Sequence, residues 1–299
     1  MYGPFARIVV GYDESPASVA ALENALAYAA DFGGDLVVVH VSNAPAGPQN
    51  HGLYERLRPR VAGCSVPVTF EFCWNEPAAG ILDAAFRWDA SAIAVGTHGR
   101  KALPHAFLGS VAESVVREAH VPVIVTRDVM PGRMLRRVVV GIDPDEPVAA
   151  AGAFAVGLAI TRPVRLVFGS VIDTASLTSP LADMPFDPTP LAHQMRAAAR
   201  DALEAAVLDA ERKEVFVATE IAVAREPAAG LIDVARRQLA DAIVVGSHRR
   251  GGLARLLLGS TAETLMRVSG VPVIVVPYDA VEPNPAAPEI DRKAQFQET

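Results

Sequence analysis

Residues 91–110 read SAIAVGTHGRKALPHAFLGS, and residues 241–260 read DAIVVGSHRRGGLARLLLGS. Each stretch opens on a short run of Ala, Ile and Val, passes through glycines beside basic residues, and ends on Gly-Ser ahead of a helical pattern. An apolar run of that kind suits a strand of a parallel sheet covered on both faces. A strand followed by a glycine-rich turn and a helix start is the part of an α/β sheet where ligands gather.

The repetition extends outward in both directions. RIVVGYDES at 7–15 returns as RVVVGIDPD at 137–145, EPAAGILDAA at 76–85 as EPAAGLIDVA at 226–235, and HVPVIVT at 120–126 as GVPVIVV at 270–276. The first pair is 130 residues apart and the others 150, so the second copy carries twenty extra residues between its first strand and EPAAG. They fall in DTASLTSPLADMPFDPTP at 173–190 and in a longer helix after it. Two copies of one domain explain the order and the spacing.

Within the first copy the periodicity predicts strands at 6–12, 35–41, 66–74, 91–96 and 121–126, with helices at 16–32, 51–61, 77–88 and 110–119. The second copy reads as strands at 136–142, 164–171, 214–223, 241–246 and 271–276, with helices at 146–160, 190–212, 227–239 and 260–269. The fold class is therefore α/β, with two tandem Rossmann-like, doubly wound domains, each on a five-stranded parallel sheet. Expected boundaries are 1–130 and 131–278, followed by a Pro-rich, acidic tail at 279–299 that reads as disordered. VPVTFEFCW at 66–74 alternates Val68, Phe70, Phe72 and Trp74 with Thr69, Glu71 and Cys73, so one face is expected to meet water at a sheet edge.

With 299 residues, the chain has room for two such domains. A formal net charge of -7 supplies no basic field to draw in nucleic acid or an anionic membrane. There is neither a basic-then-apolar leader nor an apolar run near the roughly 20 residues of a membrane span. These features predict a soluble, cytoplasmic protein. Cys64 and Cys73 lack metal or disulfide spacing and read as reduced packing residues.

Gly96 and Gly246 end a strand in each copy, where glycine permits close backbone approach to a ligand. Gly109-Ser110 and Gly259-Ser260 open the next helix, whose first N–H groups lack internal partners and favour an anion. Together with Gly99 and the side chains of Arg100 and Lys101, or of Arg249 and Arg250, they suggest a phosphate cradle. The competing reading is structural: Ser110 with Glu113, and Ser260 with Glu263, match the S-x-x-E capping box. Recurrence of most of the glycine pattern favours the cradle. Asp13 and Asp143 end the first strands, where a carboxylate either accepts bonds from a nucleoside or caps the following helix. A Walker loop and a first-strand G-x-G-x-x-G are both missing, which disfavours a P-loop NTPase or a simple NAD dehydrogenase.

VVGYDES, VVGIDPD and GTHGRKALPHAFLGS resemble the universal stress proteins, the last matching their nucleotide motif G-x-x-G-x9-G-[ST] at every fixed position. The resemblance covers about 5–127 and 135–277. For the first copy it implies adenine contacts near Asp13 and Val41 and phosphate contacts from Gly96, Gly99, Gly109, Ser110 and Val111. For the second it offers Asp143, Val171, Gly246, Gly259, Ser260 and Thr261, but Arg249 stands at the motif's second glycine. Arg249 either blocks the phosphates or reaches them in a loop freed by Gly251 and Gly252. The resemblance thus implies an ATP-binding or other adenine-nucleotide-binding regulatory protein, competent in its first copy, with Mg2+ accompanying a triphosphate. It also implies a homodimer, with VPVIVT and VPVIVV as candidates for pairing between halves or chains. The other readings are a slow ATPase and a nucleotide-independent scaffold. His98 and His248 flank the loops with no ligand cluster around them, so no metal site is expected.

Overall fold

The computed structural model describes residues 3–42, 48–98, 108–127, 132–145, 150–175, 189–247 and 258–278. They form two compact units, the first ending at Met134 and the second running from Leu135 to Tyr278. The first contains β1 (Arg7–Gly11), α1 (Pro16–Phe32), β2 (Asp35–Ser42), α2 (Pro48–Val61), β3 (Val68–Trp74), α3 (Pro77–Arg87), β4 (Ala92–Gly96), α4 (Ser110–Glu118) and β5 (Val123–Thr126). The second contains β6 (Arg137–Gly141), α5 (Ala150–Thr161), β7 (Arg165–Asp173), α6 (Thr189–Glu211), β8 (Val217–Ala224), α7 (Pro227–Gln238), β9 (Ala242–Gly246), α8 (Ser260–Val268) and β10 (Val273–Val276). The strand orders are β3-β2-β1-β4-β5 and β8-β7-β6-β9-β10, with parallel neighbours throughout.

Local chemistry sets the helix ends. Ser15 caps α1 by accepting from the Ser18 N–H, Pro16 supplies a pre-set first position, and Gly33 closes the helix in the left-handed region at φ 75°. The 23-residue α6 occupies the place of the 14-residue α2, which accounts for part of the second copy's extra length. The other part, 176–188, lies outside the described residues, as does the 279–299 tail.

Glycines reveal how the helices divide between the faces of the first sheet. A Cβ on Gly11 would meet Ile81 of α3, whereas one on Gly96 would meet the backbone of Ala17 in α1. Gly11 follows Val10, the register partner of Ala94, so Gly11 and Gly96 point to opposite faces. Helix α4 packs beside α3. The chain therefore leaves the adjacent strands β1 and β4 toward opposite faces, and their carboxyl ends form a switch point.

β3 lies at the expected sheet edge, but the face left to solvent differs from the simple alternation. Trp74 is 70% exposed and Phe72 37%, while the polar partner Glu71 is sheltered by the end of α3. The Glu71 carboxylate accepts from the Arg87 guanidinium, the Trp88 indole and the Cys73 thiol. β8 repeats this clasp: Glu220 accepts from Arg237 at 2.6 Å and from Gln238 at 2.9 Å. The packing assignment of the cysteines is also corrected. Both are free, Cys64 is exposed in the turn after α2, and Cys73 is partly covered by the clasp.

Candidate functional site

The switch point of the first unit joins the loop after β1 to the loop after β4. Asp13 Oδ1 accepts the Ser15 N–H at 3.0 Å, and the Asp13 N–H donates to Ser18 Oγ at 3.3 Å. Asp13 therefore shapes the turn, and Ser15, not Asp13, is the cap of α1. The Ser15 hydroxyl also donates to the His98 carbonyl at 3.0 Å, tying the two loops together. Glu14 between them has φ 66° and pairs with Arg56 of α2 at 2.6 Å.

The loop after β4 is anchored at both ends. Thr97 is fully buried; its N–H donates to the Thr126 carbonyl at 3.0 Å, and its carbonyl accepts from the Gly109 N–H at 2.7 Å. Thr97 Oγ1 pairs with His98 Nδ1 at 2.9 Å. His98 Nε2 is shut off from solvent and has no hydrogen-bond partner among the described residues. The second unit repeats the anchor, with Gly259 donating to the Ser247 carbonyl at 3.2 Å and Ser247 donating to the Val276 carbonyl at 2.9 Å. Gly99, Arg100, Lys101 and the rest of 99–107 lie outside the described residues, as do His248, Arg249, Arg250, Gly251 and Gly252.

The competing capping-box reading is overturned in both units. Gly109 is the N-cap of α4, Ser110 is already its first helical residue, and no side chain caps the helix. Glu113 sends its N–H to the Gly109 carbonyl at 3.0 Å and its carboxylate to Arg117, one turn on. No described residue accepts from the N–H groups of Ser110, Val111 and Ala112. Gly259, Ser260 and Thr261 take the same places in α8, where Glu263 pairs with Arg267. Uncapped helix starts beside a switch point suit an anion.

The glycines act through space more than through conformational freedom. Gly109 has φ -67°, open to any residue, but a Cβ there would stand 2.7 Å from the Thr97 carbonyl oxygen. At Gly96 a Cβ would stand 2.5 Å from the Ala17 carbonyl carbon, so this glycine admits the start of α1 rather than a ligand.

Val41 and Val171, near the carboxyl ends of β2 and β7, lie against the glycines of the two EPAAG motifs. Added Cβ atoms on Gly80 and Gly230 would come within 2.8 and 2.5 Å of Val41 and Val171. The repetition of EPAAG does not by itself reveal this contact; its signal in the sequence is a glycine in the first turn of a helix. Across the sheet, Tyr12, His40, Leu53, Tyr54, Leu57 and Phe70 close around about 10 Å³, too little for a nucleoside. Burial beneath α2 raises the Tyr12 phenol above its ordinary pKa. Among the described residues, no group of three His, Cys, Asp or Glu side chains could hold a metal, and no helix is long and apolar enough to cross a membrane.

A family model described as the universal stress protein family matches residues 4–127 and 134–277. A universal stress protein of Mycobacterium tuberculosis (strain H37Rv) is 33% identical over 191 residues, 62% of this chain and 61% of that relative's length. A universal stress protein of Mycobacterium bovis is 29% identical over 292 residues, 90% of this chain and 96% of its own. Among solved structures, a universal stress protein from Archaeoglobus fulgidus covers 91% of this chain and 98% of its own at a TM-score of 0.63 and 21% identity, a likeness of fold.

Proposed function

The chain belongs to the universal stress protein family, and from that membership we propose that its first unit binds an adenine nucleotide, ATP in the leading case, and serves a regulatory role in stress response. The phosphates lie at the start of α4, against the open N–H groups of Ser110 and Val111. The adenosine end lies toward Asp13 and Val41. The observation that carries the reading is the uncapped start of α4 beside the switch point, with His98 Nε2 in the loop after β4 buried and without a partner among the described residues. A buried polar atom without a partner costs stability that a ligand's hydrogen bond recovers. A triphosphate bound there brings Mg2+ with it, and binding alters dimerisation or contacts with other proteins. Asp143, Val171, Gly259, Ser260 and Thr261 offer a related but weaker site in the second unit.

The test is the nucleotide content of freshly purified, undialysed protein. After denaturation, about one adenine nucleotide per chain is expected by chromatography and mass spectrometry. Gly109→Ala, whose methyl group would displace the Thr97 carbonyl, is expected to release it. Absence of nucleotide, with no uptake of added ATP, would sink the reading and favour a nucleotide-independent scaffold.

A further inference from the structure

β3 and β8 end the strand orders of their units, so each presents one edge to which no described strand is paired. An open edge is a template for pairing with another chain, and folded proteins blunt it with charge, proline or a bulge. Neither strand carries a proline, and each follows its neighbour in unbroken register. Both are rich in strand-forming residues: β3 reads VTFEFCW and β8 reads VATEIAVA. Exposed apolar groups border both edges, Phe72 and Trp74 on β3, and Val223 on β8 with Phe216 just before it. Each strand holds a single charged residue, Glu71 or Glu220. The two acids occupy equivalent registers, beside Val39 of β2 and Gly169 of β7, which in turn pair with Gly11 and Gly141.

We propose that Glu71 and Glu220 guard the sheet edges of the two units against pairing with a second copy of this chain. Two copies joined by a two-fold axis across β3 run antiparallel and keep equivalent faces on one side. Full overlap of the strand then sets Phe70 against Phe72 of the second copy, Val68 against Trp74, Thr69 against Cys73, and Glu71 against its own counterpart. The apolar pairs lie on the α2 face, where Phe70 meets Tyr54 and Phe72 meets His40. They favour association, whereas two carboxylates directly opposite each other on the α3 face oppose it. β8 repeats the pattern about Glu220, with Thr219 against Ile221 and Val217 against Val223. The clasps keep each guard in place. Glu71 Oε1 accepts from the Arg87 guanidinium and the Cys73 thiol, and Oε2 from the Trp88 indole, so both oxygens are engaged within the unit. Glu220 is held by Arg237 and Gln238. Burial works against ionisation at both sites, but these hydrogen bonds outweigh it and keep both carboxyls below their ordinary value.

The experiment uses the purified full-length chain at neutral pH, with mass read by light scattering over a concentration series and β3 followed by amide exchange. Glu71→Gln keeps the size of the side chain and removes its charge, whereas Glu71→Asp keeps the charge on a shorter stem and disturbs the clasp at least as much. Wild type and Glu71→Asp are expected to share one mass. Glu71→Gln is expected to reach roughly twice that mass as concentration rises, with slowed exchange across Val68–Trp74. Glu71→Gln combined with Glu220→Gln is expected to pass beyond that doubling, because each chain then has two edges that pair. A Glu71→Gln mass that stays at the wild-type value would overturn the guard, as would doubling without protection of β3. Equal association of Glu71→Asp would trace the effect to the lost clasp rather than the charge, and would overturn it too. Thermal melting separates these outcomes from unfolding, since paired native chains keep a cooperative melt and misfolded aggregates lose it. If Glu71→Gln melts without cooperativity, Glu220→Gln supplies the same test at β8.

Discussion

Single residues separate what the motif names from what the fold uses. Gly96 belongs to the nucleotide pattern, yet the space it leaves is filled by the backbone of Ala17. Gly96→Ala is therefore expected to destabilise the first unit by roughly 1–3 kcal/mol without any nucleotide present, as read by urea unfolding. The reverse case is Leu239, which ends α7 at φ 51° with 78% of its surface exposed. Leu239→Gly relieves a left-handed conformation and loses little packing, so a gain of about 0.5–1 kcal/mol is expected in the same assay. Neither effect was readable from sequence. Strand and helix periods say which face a residue takes, but they do not say how near the next backbone passes. Asp13 and Ser15 show the same limit: the carboxylate is the conspicuous group of YDES, while the hydroxyl two residues later makes the cross-loop bond.

At the scale of elements, the strand and helix pattern is legible because apolar runs of Val, Ile and Ala alternate with stretches of helical period. The clasps at the sheet edges were not. Glu71 pairs with Val39 and Glu220 with Gly169, equivalent places in the two sheets, yet the residues are 149 apart where the helices beside them are 150 apart. That one-residue offset hides the equivalence from any aligned reading. Burial raises the pKa of the Glu71 carboxyl, but the hydrogen bonds from Arg87, Cys73 and Trp88 outweigh it and hold the group below its ordinary value of 4.5. The stabilisation is then fully present above the unfolded value and lost as pH falls from about 4.5 through the folded one. Wild-type stability should decline over that acid range, whereas Glu71→Gln should decline less steeply and be weaker by about 1 kcal/mol at neutral pH, as measured by chemical denaturation. The same clasp governs the thiols. Burial and the Glu71 carboxylate push Cys73 up to about 11, so at neutral pH a maleimide is expected to label the exposed Cys64 first, checked by mass mapping.

For the chain as a whole, duplication was the most legible property, and it carried the fold class. The difference between the copies is harder to read, because Arg249, which stands where the motif has glycine, lies outside the described residues. If one unit alone takes ATP, saturating ligand should slow amide exchange in α1 and α4 while α5 and α8 exchange at unchanged rates. At about 100 times Kd the protected unit gains roughly 2.7 kcal/mol. Equal protection of both helix pairs would mean that the two copies bind alike. The contact of Gly80 with Val41, repeated as Gly230 with Val171, also bears on how such a duplicated chain can diverge. Neither partner of a pair has room to grow alone, so positions 41 and 80, like 171 and 230, can change only in concert. Descendants of this chain should therefore show paired exchange there, a bulkier helix residue arriving with a smaller strand residue, each pair drifting on its own schedule.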